Sequence, residues 1–156
     1  MTDKLACYVS SRRDPWTNLA VEEHILNRVD AGEHPPALVF YVNEPAVVVG
    51  KNNPLDEWVK LDRVESSRIP LLRRKSGGGT VVHHTDNLNF GLIFPLEMVG
   101  EDTPKGVQGE LLDVVIDALS QMGINAEIAR ICDLVAHGKK IGGNGLWMSS
   151  RTVLEH

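Results

Sequence analysis

Apolar residues along this chain fall mostly into short β-branched runs broken by polar turns, and only two stretches hold a clear helical period. In "DPWTNLAVEEHILNRVDAG", Leu19, Glu22 or Glu23, Leu26 and Val29 recur at helical spacing, and Ile25 widens the stripe. Asp14 is placed to cap this helix, Pro15 suits its first turn, and Gly32 marks its end. In "GVQGELLDVVIDALSQMGI", Leu111, Val114 or Val115, Ala118 and Met122 share one stripe, with Gly123 as the stop. "LDEWVKLDRVESS" predicts a further helix. "PALVFYV", "PAVVVG", "IPLLRR" and "LNFGLIFP" read as strands, the first two joined by a tight Asn-Glu-Pro connection. "AEIARICDLVAHGKKIGGNGLWMSS" predicts more strands, turning at His137-Gly138 and at Gly142-Gly143-Asn144-Gly145. "WMSSRTVLEH" reads as a strand that has just begun. The pattern predicts an α+β domain: a mixed, mostly antiparallel sheet with helices packed against it.

Composition narrows the function classes. The 156 residues suit one domain, and a net charge of −5 gives no bulk attraction to nucleic acid. An anion would have to be held by a local basic cluster. No apolar run reaches a membrane-spanning length, and the first residues lack a secretory core, so the expected location is cytoplasmic, with no nucleic acid or membrane partner. Two cysteines, Cys7 and Cys132, are too few for a disulfide scaffold.

The candidate chemistry lies in two glycine-rich loops. In "RRKSGGGTVVHHTDNLNF", unshielded backbone N–H groups stand beside Arg73, Arg74 and Lys75, the ingredients of a phosphate site. A solvated glycine hairpin is the alternative. The loop is neither a Walker P-loop nor a dinucleotide fingerprint. In "HGKKIGGNG", a lysine between turns could project its ammonium toward the same anion. His83 and His84 are adjacent, so on a strand they point to opposite faces and do not share a metal. No metal-ligand spacing is present, and no metal ligand is assigned. Glu22 and Glu23 could do acid/base work, but such acids are usually dipole partners or solvated. Cys132, between Ile131 and Leu134, reads as a buried structural thiol more than a nucleophile.

Four ordered segments, "DPWTNLAVEEHIL", "VVVGKNNP", "RRKSGGGTVVHHTDNLNF" and "DLVAHGKKIGGNG", closely resemble the signatures of the lipoate–protein ligase family, within the biotin and lipoate ligase superfamily. The resemblance implies that family's catalytic-domain fold and an ATP-dependent ligase. Lipoate is activated to lipoyl-AMP, and the lipoyl group then passes to a lysine of a lipoyl carrier domain. Carried onto this sequence, it implies Lys140 as the catalytic cation, touching both lipoyl carbonyl and phosphate. Arg74, Gly79, Thr80, Val81 and Val82, with Lys140, would bind nucleotide. Gly77, Gly78 and His83, with Lys140, would bind lipoate. Mg²⁺ would accompany the triphosphate, and an apolar pocket near the glycine loop, including Val81, Leu88 and Phe90, would take the lipoyl tail. The implied partners are lipoyl domains of 2-oxoacid dehydrogenase complexes or the glycine cleavage H protein.

The sequence also departs from the family pattern. Cys132 stands where an asparagine is usual, His84 replaces an aspartate, and "IGGNG" stands for "ISGSA". The expectation is the N-terminal part of a catalytic domain over residues 1–156, without the accessory C-terminal domain. A separate accessory subunit could complete it, and residues 154–156 read either as native or as the start of a tag. Two other readings stay open: an octanoyl or lipoyl transferase working from acyl-carrier protein through a cysteine thioester, and a non-catalytic fragment that binds lipoate or a lipoyl domain.

Overall fold

The structure, a computed structural model, describes residues 4–156. Helix α1 (Pro15–Asp30) begins as the sequence predicts, with the Asp14 carboxylate accepting from the Thr17 N–H at 2.7 Å and Pro15 in the first turn. It follows strand β1 (Ala6–Val9) and leads to β2 (Ala37–Tyr41) and β3 (Ala46–Val49). The predicted single helix of "LDEWVKLDRVESS" is instead two short ones, α2 (Leu55–Trp58) and α3 (Leu61–Ser67). The break is at Val59, which is extended and buried against Val47 and Val49, so burying that side chain outweighs helical continuity. Strands β4 (Leu71–Arg73), β5 (Val81–His83) and β6 (Asn89–Pro95) precede α4 (Pro104–Gln121), which Thr103 caps through its hydroxyl. Strands β7 (Ala126–Ala129), β8 (Asp133–Ala136), β9 (Lys139–Gly143), β10 (Leu146–Met148) and β11 (Thr152–Glu155) complete the order.

The strands form three sheets rather than one. The largest has the order β1-β2-β6-β11-β10, antiparallel except for the β1–β2 pair. Its period-two alternation sorts side chains onto two helices. Val39, Tyr41, Ile93 and Leu154 meet Ile25, Leu26 and Val29 of α1. Leu92 and Val153 meet Val107 and Leu111 of α4 on the other face. The second sheet is β4-β3-β5 and the third is the meander β7-β8-β9. Strands β2 and β3, joined by the tight connection, therefore pair with other strands, because the turn carries the chain from one sheet to the next.

Three further expectations need correction. The α4 stripe is buried only toward its start, and Met122 is exposed, since the helix overruns the sheet it covers. The segment before β8 turns at Arg130, with φ of 56°, a turn carried by no glycine and so invisible to a glycine search. "WMSSRTVLEH" is not one starting strand but the hairpin β10–β11, with β11 buried between β6 and β10. Among the described residues, no helix is long and apolar enough to cross a membrane.

Candidate active site

The glycine bend is tied down from within. Gly78 takes φ of +89°, and its carbonyl lies so close to Gly50 that a Cβ there would overlap it. The two glycines thus answer different needs: one supplies the left-handed turn, the other admits its carbonyl. Arg74 closes the bend by donating to Gly77 O at 2.6 Å, Gly79 O at 2.7 Å and Val48 O at 3.2 Å, while its Nε donates to Ser76 Oγ at 2.9 Å. A planar fork suits this task, because it can serve several acceptors in fixed directions at once. Burial pulls the Arg74 pKa down from its ordinary value, and the nearby Glu22 charge opposes that shift.

The bend forms one wall of a cavity of about 260 Å³. Arg74, Gly78, Gly79, Thr80, Val81 and His83 line it, and so does Lys140 from β9. Two glycine-rich loops distant in sequence therefore share one space. Val81, Leu88 and Phe90 supply apolar wall, as anticipated, joined by Leu19 and Tyr41. Lys140 Nζ donates to Asp133 Oδ1 at 2.6 Å, and its side chain stays more than half exposed. The ammonium is held at the cavity without being used up by burial.

Some predicted site residues lie elsewhere. Val82 is exposed and outside the cavity lining, because on β5 it points opposite to Val81 and His83. Gly77 also lies outside the lining, with its N–H donated to Leu146 O at 3.2 Å. Arg73 donates to the carbonyls of Gly50, Lys51 and Asn53, bracing the β3–α2 turn. Lys75 turns away to Asn27 Oδ1 and stacks over Trp147 at 4.6 Å. Of the basic cluster, only Arg74 reaches the cavity.

Two buried polar chains support the site, and sequence reasoning missed both. In the first, the Glu22 carboxylate accepts from Tyr41 OH at 3.3 Å and from His156 Nδ1 at 2.7 Å. His156 Nε2 is hydrogen-bonded to Ser76 Oγ, which accepts from Arg74 Nε. Glu22 is 3% exposed, so it is neither solvated nor a dipole partner. Its order of carboxylate, imidazole and hydroxyl resembles a nucleophilic triad. Ser76 is 0% exposed and bonded to a guanidinium, however, so no substrate reaches its oxygen. In the second chain, Asn18 Nδ2 donates to Asn43 Oδ1 at 2.8 Å, and Asn43 Nδ2 donates to His83 Nδ1 at 2.9 Å. Burial, then the neighbouring His156 and Arg74, lower the His83 pKa to about 4, which leaves a neutral imidazole. One signal for both chains was available: Asn18 and Glu22 sit at i and i+4 on the apolar stripe of α1.

His84 lies just past the end of β5, exposed and 3.5 Å from the Asp86 carboxylate. Cys132 is only half-buried and lines the cavity, correcting the reading of a buried thiol, since Ile131 beside it is exposed. Its Sγ donates to Asn144 O at 3.2 Å, and burial pushes the thiol pKa up. Leu154 and Glu155 are buried and His156 is engaged as described. Asp133 is the one carboxylate among the cavity's lining residues. No group of three or more His, Cys, Asp or Glu able to hold a metal occurs among the described residues.

Comparison with known proteins extends this geometry. A family model described as the lipoyl protein ligase A/B catalytic domain matches residues 14–156. The lipoate-protein ligase LplJ of Bacillus subtilis is 36% identical over 143 residues, covering 92% of this chain and 41% of that protein. A crystal structure of lipoate-protein ligase A bound with ATP superposes with a TM-score of 0.79 at 26% identity, over 99% of this chain and 65% of that one. A two-part lipoate protein ligase of Thermoplasma acidophilum, described with its E2 lipoyl domain, shares the fold at a TM-score of 0.79 and 22% identity, over 97% of this chain and 59% of that one. The chain spans about two fifths of the length of the curated relatives it matches. With its signature segments, its sheets and its family match in agreement, the chain belongs to the lipoyl protein ligase A/B catalytic-domain family.

Proposed function

We propose that this chain carries the acyl-activating site of an ATP-dependent lipoate–protein ligase. The observation behind the reading is that the glycine bend and the Lys140 ammonium line one cavity, together with the apolar side chains of Leu19, Val48, Leu88 and Phe90. A lipoyl tail suits Val81, Leu88 and Phe90, and a nucleotide phosphate suits Gly79, Thr80 and the Lys140 cation.

In the first step a lipoate oxygen attacks the α-phosphorus of ATP, and the bond to the β-phosphate breaks, releasing pyrophosphate. In the second, a lysine amine of a lipoyl domain attacks the acyl carbonyl, loses a proton, and AMP leaves. Both transition states gather negative charge between carbonyl and phosphate oxygens. An ammonium at that point stabilises each of them, and Lys140 supplies one on a flexible stem. The Asp133 carboxylate holds Nζ in place until a phosphate competes for it. Mg²⁺ would be held by Asp133 and the substrate's own phosphates, since this ion takes few protein oxygens, and it would neutralise triphosphate charge. Arg74 acts by holding the bend's carbonyls inward, so that its remaining backbone can approach the phosphate.

The acceptors are lipoyl domains of 2-oxoacid dehydrogenase complexes or the glycine cleavage H protein. The transferase alternative has one observation in its favour, namely that Cys132 opens onto the cavity. A thioester step needs a thiolate, and burial pushes this thiol away from ionisation. The ligase reading is therefore preferred. Its test is pyrophosphate release from ATP in the presence and absence of lipoate. Lipoate-dependent release that survives Cys132→Ser is expected. Acyl transfer from octanoyl carrier protein that Cys132→Ser abolishes would overturn the reading in favour of the transferase.

A further inference from the structure

The chain of amides behind His83 has a direction, and a single main-chain oxygen sets it. Arg12 O can only accept, and Asn18 Nδ2 donates to it at 3.0 Å. The amide nitrogen of Asn18 therefore faces both Arg12 O and Asn43, and its oxygen takes the Ser10 hydroxyl at 2.7 Å. Asn43 must then present its oxygen to Asn18, which leaves its nitrogen facing His83. Both amides are almost wholly buried, at 2% and 0% exposure, so reversing either would leave buried donors or acceptors opposed. His83 Nδ1 is consequently the acceptor, and the ring proton sits on Nε2. The bond from Asn43 is to Nδ1, and Nε2 makes no side-chain hydrogen bond among the described residues. No buried side-chain nitrogen lacks a partner there, so Nε2 is accessible, on a residue that lines the cavity.

We propose that Asn18 and Asn43 are positioning residues that hold His83 as a neutral imidazole whose Nε2–H donates to a carboxyl oxygen of the acyl ligand. The ligand's identity rests on the ligase reading above; the direction of the amide chain does not. The charged and titratable groups facing the ring are His156 beyond β11, Arg74 beyond β4 and Glu22 on α1, and burial with the first two opposes a charge on it. A ring of this kind offers an acyl oxygen one directed donor and cannot serve as a base through the same nitrogen. It separates two tasks in one cavity: Lys140 provides charge, and His83 provides direction.

The experiment uses the 156-residue chain with ¹⁵N-labelled histidine, the His83 signals being assigned by their loss in His83→Gln. Long-range proton–nitrogen spectra should show a bare Nδ1 and a protonated Nε2, unchanged from about pH 8 down to about pH 5. Asn43→Asp replaces the donor by an acceptor, so it should move the ring proton to Nδ1 and raise the ring's pKa by at least about one unit. Lipoate affinity measured on the same samples should fall about tenfold, in line with one lost hydrogen bond. A protonated Nδ1 in the wild-type spectra would overturn the proposal, and that measurement needs no variant to fold. An unchanged lipoate affinity in a folded Asn43→Asp protein whose tautomer has switched would also overturn it. If the wild-type chain binds no lipoate, the acyl-pocket reading falls with the ligand half of the proposal. The spectra then decide the positioning half alone.

Discussion

At the residue scale the site separates charge from scaffolding. Lys140 is exposed and, among the described residues, paired only to Asp133, so removing its amine should cost the fold little. Lys140→Ala is expected to reduce lipoate-dependent pyrophosphate release by about a hundredfold or more, with a melting temperature close to that of the parent. Retained activity would remove Lys140 from the mechanism. Arg74 is the opposite case, since its fork bonds three main-chain carbonyls at once, those of Val48, Gly77 and Gly79. Arg74→Lys should lose ATP affinity nearly as fully as Arg74→Ala, because an ammonium cannot span those acceptors in their fixed directions. Lipoate affinity should fall less than ATP affinity in both variants. Calorimetric titration of each ligand checks this, and the reverse order would mean that the bend serves the acyl group.

At the element scale, the β3–α2 turn and the glycine bend operate as one unit. Arg73 braces the turn's carbonyls, and Gly50 makes room for the Gly78 carbonyl. Gly50→Ala should therefore displace the bend, costing roughly 1–3 kcal/mol of stability and most of the ATP affinity. A variant with parental melting and ATP binding would show that the bend does not depend on this close approach. The helices illustrate what local pattern can and cannot convey. Helix α1 was legible to its cap, because Asp14, Pro15 and the stripe from Leu19 to Val29 all agree on one element. The split between α2 and α3 was not legible, because it is decided by a pocket for Val59 that β3 builds. Residues Val81 to His83 form one short strand, whose alternation turns the Val82 side chain outward while Val81 and His83 line the cavity.

At the scale of the whole molecule, β11 ties both faces of the large sheet together. His156, just past its end, reaches Glu22 on the α1 side, while Glu155 points to Gln108 of α4. Burial raises the Glu155 pKa to about 7, against the hydrogen bonds from Gln108 and the nearby His156. The folded state then holds a proton that the unfolded chain has released, so stability from this group is complete below about pH 4.5 and is lost as pH rises toward 7. His83, with its pKa lowered to about 4, acts in the other direction, since its stabilisation fades as pH falls through the range from 6.5 to 4. Glu155→Gln should match the parent near pH 4.5 and exceed it increasingly up to about pH 7, by a few kcal/mol at most. Urea unfolding across that range checks the sign. A variant less stable than the parent at pH 7 would show that the charged carboxylate is needed.

What the sequence determined by itself is local in cause: turn glycines, helix caps, strand periodicity, and the signature strings that mark the family. Each is a short-range preference, fixed by the dihedral freedom or hydrogen-bonding habit of a few neighbouring residues. Only the tertiary structure decided that Glu22, Ser76 and His156 form one chain, and that Asn18, Asn43 and His83 form another. Their members stand tens of residues apart and are drawn together by the burial of α1 on the large sheet. Once inside, a polar group is stabilised only by the partner the packing delivers to it, and no spacing along the chain names that partner.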